Sequence, residues 1–161
     1  MDQDWLGNDP LTAALLAIVF AQVVKPPLHL LFHGRWEWRK LWSPGGMPSS
    51  HSAAVTALAS VVGYVEGLRS TEFAVCCVLG LIVMYDAMGI RRHAGYQAME
   101  INRLKEEFDK HLETDDPVFS RERLRHQRDR LKEILGHQPI EVVGGAVFGI
   151  AIGLVLHLFY K

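Results

Sequence analysis

Apolar residues in this chain gather into blocks near 11–32, 51–68, 72–90 and 140–160, while 91–139 holds most of the charge. A helix needs about 20 mostly apolar residues to cross the hydrocarbon core of a bilayer. The blocks therefore predict an all-α, polytopic bundle of four transmembrane helices forming a single membrane domain over residues 1–161. The first block is long enough but carries Lys25, Pro26 and Pro27. A double proline deletes two backbone donors, which predicts a kink beside the lysine. The second block is short and rich in Ala, Ser and Val, as suits a helix inside the bundle. The third and fourth read as ordinary spans. In the fourth, Gly145, Gly149 and Gly153 fall on one helix face and permit close approach of another helix, either within the bundle or in a homodimer.

Residues 96–136 are too polar to span. Ile101, Leu104, Phe108 and Leu112 make one helical stripe, and Leu124, Leu131 and Leu135 make another. Asp115, Asp116 and Pro117 mark a break between them. The pattern predicts an amphipathic helical hairpin that lies on the membrane or packs against a partner subunit, a second surface for a homodimer. The charges of Arg121–Arg130 then form its solvated face.

Lys and Arg placement sets the orientation. Residues 1–10 contain neither, and the link between blocks two and three contains only Arg69. The connection after block one holds Arg35, Arg39 and Lys40, and the one after block three runs from Arg91 to Lys132. With four spans these basic connections share one side, so they face the cytoplasm and both termini face outward. Trp36, Trp38 and Trp42 beside the first basic connection read as interfacial anchors. The N-terminal stretch is acidic, with Asp2, Asp4 and Asp9, where a cleavable signal peptide has a basic start, so block one is expected to be retained. A net charge of -1 argues against nucleic acid as a partner. Cys76 and Cys77 are adjacent in an apolar block and read as packing residues, because neighbouring cysteines rarely satisfy disulfide geometry.

Under this topology, polar groups from separate segments meet at one membrane face: Lys25, Ser49, Ser50, His51, Arg91, His137 and Glu141. Ionisable groups at the membrane edge are expensive and mark functional positions. Gly45-Gly46-Met47-Pro48-Ser49-Ser50-His51-Ser52 reads as a glycine turn leading into a proline near the first helical position. Exposed amides and the helix dipole would then bind an anion, with the serine hydroxyls adding hydrogen bonds and His51 alongside. A capping serine with an incidental histidine fits the same letters. His137 and Glu141 share a helix face, so the carboxylate can hold Nδ1–H and leave Nε2 outward as a nucleophile. Lys25 and Arg91 supply positive charge suited to a transferring phosphoryl group, though snorkelling and positive-inside anchoring account for them equally well. Asp86 can pair with Arg91 or cap the following turn. Zinc is disfavoured, because the expected neighbours are cationic rather than further ligands.

Three motifs together resemble a known family: Gly45–Ser52; Tyr85-Asp86-Ala87-Met88-Gly89-Ile90-Arg91-Arg92 with Ala94-Gly95; and Gly136-His137-Gln138-Pro139-Ile140-Glu141. The chain is identified as a member of the divergent branch of the type 2 phosphatidic acid phosphatase superfamily, related to acid phosphatases and vanadium-dependent haloperoxidases. The likeness runs from about Leu11 to Tyr160. It implies that His137 is the nucleophile that becomes phosphohistidine, Glu141 its orienting carboxylate and His51 the general acid. Lys25, Ser49, Ser50 and Arg91 would hold phosphate, supported by Asp86 and Arg92, with no metal and no cofactor. The resemblance favours Arg91 over Arg92 as the phosphate ligand.

The sequence also departs from the family pattern. Phe32 stands where the lysine motif has its downstream arginine, Ser50 replaces a glycine, and the hairpin separates Arg91 from His137. The expected function is a plasma-membrane phosphatase acting at the cytoplasmic face on a lipid or isoprenoid phosphate. A non-catalytic phospholipid-binding scaffold or an anion- or lipid-handling protein would use the same anion site.

Overall fold

A stripe of alanines organises the bundle. In the computed structural model, which describes residues 8–42, 45–111, 131 and 136–159, helix α1 spans Asp9–His33. The Asn8 side chain caps it by accepting the Leu11 N–H (3.0 Å), and Gly34 ends it in a left-handed turn (φ 68°). Ala13, Ala17 and Ala21 recur every fourth residue and are fully buried, and Lys25 continues their line. The helix is not broken at Pro26 and Pro27 but continues through them to His33. Prolines are tolerated in membrane helices where neighbouring groups re-satisfy the freed carbonyls.

Helix α2 (Ser50–Val65), α3 (Thr71–Met88), α4 (Ile90–His111) and α5 (Pro139–Phe159) complete the described elements, with a short 3-10 turn at Trp38–Trp42. On α2 the buried apolar residues are Ala53, Ala57, Val61 and Val62; on α5 they are Val142, Gly145, Gly149 and Gly153. The core is thus built from the smallest side chains. Large ones such as Phe20, Val23, Leu81, Ile82, Val147 and Ile150 point outward. This inverts the soluble pattern and suits a bundle surrounded by lipid, where close backbone approach rather than bulk burial holds helices together. Three helical stretches have the length and hydropathy of membrane spans: Asp9–His33, Thr71–Phe108 and Pro139–Phe159. The protein is an all-helical membrane protein. Helix α2 has only 16 residues, about 24 Å at 1.5 Å per residue.

The glycine stripe fixes how α2 and α5 lie. A Cβ built on Gly145 would meet Ser49, one on Gly149 would meet Ala53 and Thr56, and one on Gly153 would meet Ser60 at 2.8 Å and Ala57 at 3.2 Å. The numbers rise together, so the two helices run parallel at close range. Thr56 Oγ1 donates to the Ala146 carbonyl across the seam (3.1 Å). Of the two uses open to the stripe, packing within the chain is the one the structure realises. Against α3 the register reverses: Gly63 meets Phe73 and Gly80 meets Val55, so α2 and α3 are antiparallel.

The polar stretch after α3 is also differently bounded from the expectation. Helix α4 begins at Ile90, not near 96, and only Gly89 (φ -99°, ψ -88°) separates it from α3. Arg91 and Arg92 are therefore the first turn of a helix rather than part of a link. The polar run lowers hydropathy without lowering helix propensity, so composition gave no sign that the helix continues. Helix α4 covers the stretch expected to form the first arm of a hairpin; the expected second arm, apart from Leu131 and Gly136, lies outside the described residues, as do Asp115, Asp116 and Pro117.

Candidate active site

Three small-residue stripes end in polar groups at the same end of the bundle. On α1 the line Ala13, Ala17, Ala21 ends at Lys25, which is 2% exposed. On α2 the line through Ala57 and Ala53 ends at Ser49, and on α5 the line through Gly153, Gly149 and Gly145 ends at Glu141. Helix register alone carries these groups together, because each sits one turn beyond a tightly packed residue.

Ser49 is the N-cap of α2. Its Oγ accepts the Ser52 N–H (3.4 Å) and the Ser52 hydroxyl (3.1 Å), and its own N–H donates to the Glu141 carbonyl (3.0 Å). Ser49 is fully buried, so it joins the start of α2 to the start of α5. Pro48 precedes this cap instead of occupying the first helical position. The first-turn amides that α2 presents are those of Ser50 and His51.

His137 is 3% exposed and stands just before α5. Its N–H donates to the Ala87 carbonyl at the end of α3 (3.0 Å), and its Nδ1 lies 3.0 Å from Glu141 Oε2. The same Oε2 accepts the Gln138 N–H (3.0 Å), the return half of a capping box, and the Gly46 backbone also hydrogen-bonds the carboxylate. Glu141 thus caps α5 and orients the imidazole with one carboxylate. His137 Nε2 is buried with no hydrogen-bond partner among the described residues. The His51 ring lies 6.4 Å from the His137 ring, centroid to centroid, at 62°.

Arg91 Nε pairs with Asp86 Oδ2 at 2.7 Å, bridging the Gly89 turn. Arg92 Nε instead donates to the Tyr96 hydroxyl (2.9 Å), with its guanidinium over that ring. The charges that act on His51 are those of Arg91, His137, Lys25 and Asp86, and those of Glu141 and Lys40 act on Lys25. Lys25, His51, Asp86, Arg91, His137 and Glu141 therefore lie within electrostatic reach of one another at one end of the bundle, while the Arg92 guanidinium is engaged by Tyr96. No group of three or more His, Cys, Asp or Glu side chains with metal-binding geometry occurs among the described residues.

Two further polar side chains with buried atoms stand outside the motifs. Gln22, one turn before Lys25, has its Oε1 buried without a partner among the described residues. An amide inside an apolar span is the signal that marks it. Asn102, 4% exposed on α4, hydrogen-bonds the backbone of Leu131. Its position on one face with Gly95 and Ala98 is the corresponding signal there.

A histidine–carboxylate pair stitched into the cap of α5 thus stands beside a second histidine. The family described as Divergent PAP2 matches residues 6–152. The uncharacterized membrane protein YuiD of Bacillus subtilis (strain 168) is 47% identical over 155 residues, which cover 96% of this chain and 98% of that protein. No solved structure matches. With the match reaching into every helix and including every residue of the cluster, the chain belongs to the divergent PAP2 family.

Proposed function

We propose that the protein is a membrane phosphatase that hydrolyses a lipid or isoprenoid phosphate through a phosphohistidine on His137. The observation that carries this reading is the His137–Glu141 pair, with Nδ1 held by the carboxylate and Nε2 buried and unpartnered among the described residues. A neutral imidazole held this way has its lone pair on Nε2. That lone pair attacks phosphorus in line, the P–O bond to the lipid breaks, and His51 gives a proton to the leaving oxygen. In the second step His51 takes a proton from water, the resulting hydroxide attacks phosphorus, and the N–P bond breaks to release phosphate and restore His137. Lys25, Arg91 and the amides of Ser50 and His51 balance the charge on the equatorial oxygens. Glu141 stabilises the imidazolium character that develops at His137.

In this reading α2 passes through the bilayer as a fourth crossing, its short length accommodated inside the bundle. The cluster faces the cytoplasm, on the side of Arg35, Arg39, Lys40 and Arg91, and the membrane is the plasma membrane. Helix α4 stands on the same side as the first arm of the hairpin. The phosphate headgroup meets the cluster at the membrane face while the acyl or prenyl tail stays among the spans.

A second reading, a non-catalytic phospholipid-binding scaffold, is favoured by the Arg91–Asp86 pair, which already commits part of the Arg91 charge. The test is phosphate release by detergent-purified protein in EDTA from phosphatidate, phosphatidylglycerophosphate and prenyl diphosphates. Wild type is expected to release phosphate, with vanadate blocking it and His137→Ala and His51→Ala abolishing it without loss of folding. An active His137→Ala protein sinks the mechanism. Silence of wild type and His137→Ala alike, with lipid binding that weakens in Lys25→Ala, establishes the scaffold.

A further inference from the structure

We propose that Asn102 is a positioning residue for His137: its side-chain amide ties Leu131, six residues ahead of the nucleophile, onto α4. This inference rests on the phosphatase reading of the site.

Asn102 Nδ2 donates to the Leu131 carbonyl (3.0 Å), and its Oδ1 accepts the Leu131 N–H (3.1 Å). One side chain thus satisfies both backbone groups of one residue, as a paired strand would, and Asn102 is itself 4% exposed. Gly95 and Ala98, also buried, lie on the same face of α4 one and two turns earlier. Small side chains there leave room for a backbone to lie close to the helix.

Leu131 stands six residues before His137. At the other end of that stretch Gly136 lies directly on α4. A Cβ there would fall 2.6 Å from Arg92 N and 2.9 Å from the Arg91 carbonyl carbon. Gly136 has a φ of 86°, a conformation that glycine adopts freely. The next residue, His137, donates its N–H to Ala87. Leu131 is therefore held by Asn102, and Gly136 and His137 by the α3–α4 junction, the junction that also carries Arg91. A long separation in sequence between Arg91 and His137 is closed in space, and the two ends of the insertion are held in register. Asn102 acts through Leu131 on the placement of His137 relative to Arg91 and His51.

The test compares full-length wild type with Asn102→Leu, which loses both hydrogen bonds, and Asn102→Asp, which keeps the acceptor for the Leu131 N–H. The first readout is the rate at which diethyl pyrocarbonate modifies His137, followed by peptide mass spectrometry. His157, at the far end of α5, serves as internal reference. Loosening of one segment is expected to raise the His137 rate by about 10-fold in Asn102→Leu, and less in Asn102→Asp, with the His157 rate unchanged. The second readout is turnover: kcat is expected to fall on the order of 10²-fold in Asn102→Leu with KM little changed, as a misplaced catalytic group requires. Unchanged His137 modification and unchanged kcat in both variants overturn the proposal. So does a parallel rise at His137 and His157, which marks general destabilisation. If Asn102→Leu does not fold, Asn102→Asp decides by the same two readouts. If wild type itself releases no phosphate, the phosphatase reading fails, while the modification rates still decide whether Asn102 holds His137.

Discussion

Two adjacent glycines on α5 should respond to the same methyl group in opposite ways. A Cβ on Gly144 meets only the Met47 side chain, at 3.4 Å, the edge of ordinary contact, and that side chain can rotate. A Cβ on Gly145 meets the Ser49 carbonyl, the Ser49 nitrogen at 3.0 Å and the Ser52 Cβ at 3.0 Å. Backbone cannot rotate aside, so α2 and α5 must separate by roughly 1 Å to restore van der Waals distance. Overpacking of this kind costs about 1–3 kcal/mol. The displaced group is also the one whose N–H bonds the Glu141 carbonyl, so the shift reaches the His137–Glu141 pair. A catalytic group moved by about 1 Å loses on the order of 10²-fold in rate. Gly145→Ala is therefore expected to lower both SDS-unfolding stability and phosphate release. Gly144→Ala should match wild type in both assays. A Gly145→Ala protein as stable and active as wild type would refute the parallel α2–α5 contact and the link from Ser49 to the site.

Two further substitutions test the local geometry. Glu141→Gln removes the charge beside His137 and cannot restore every bond the carboxylate accepts, so kcat should fall on the order of 10²- to 10³-fold with KM nearly unchanged; a variant that keeps wild-type kcat removes Glu141 from the mechanism. Gly136→Ala places a methyl 2.6 Å from Arg92 N at a φ of 86° and should cost about 1–2 kcal/mol of strain, displacing His137 from Ala87; thermal melting and turnover equal to wild type would show that this contact does not constrain the site.

The four apolar helices and their approximate limits follow from hydropathy blocks, because lipid selects for long apolar runs whatever their neighbours are. Lys25, His51, His137 and Glu141 stand out in the sequence because ionisable groups are costly beside apolar runs, and the structure brings them to one end of the bundle. Local pattern could not show that Ser49 joins two helices, its hydroxyl accepting from Ser52 and its amide donating to the Glu141 carbonyl. Nor could it separate Arg91 from Arg92, since the two are neighbours in composition and differ only in which partner each reaches, Asp86 or Tyr96.

The sequence by itself determined an all-helical membrane protein with its ionisable groups at the ends of apolar segments, because hydrophobic burial in lipid depends on residue type and run length. Only the tertiary structure decided that the Gly145, Gly149 and Gly153 face is spent on α2, that α4 continues from α3 across Gly89, and that Asn102 bonds the backbone of Leu131. Each of these depends on which backbone lies within a few ångströms of which residue, and that distance is set by packing between segments far apart in the chain.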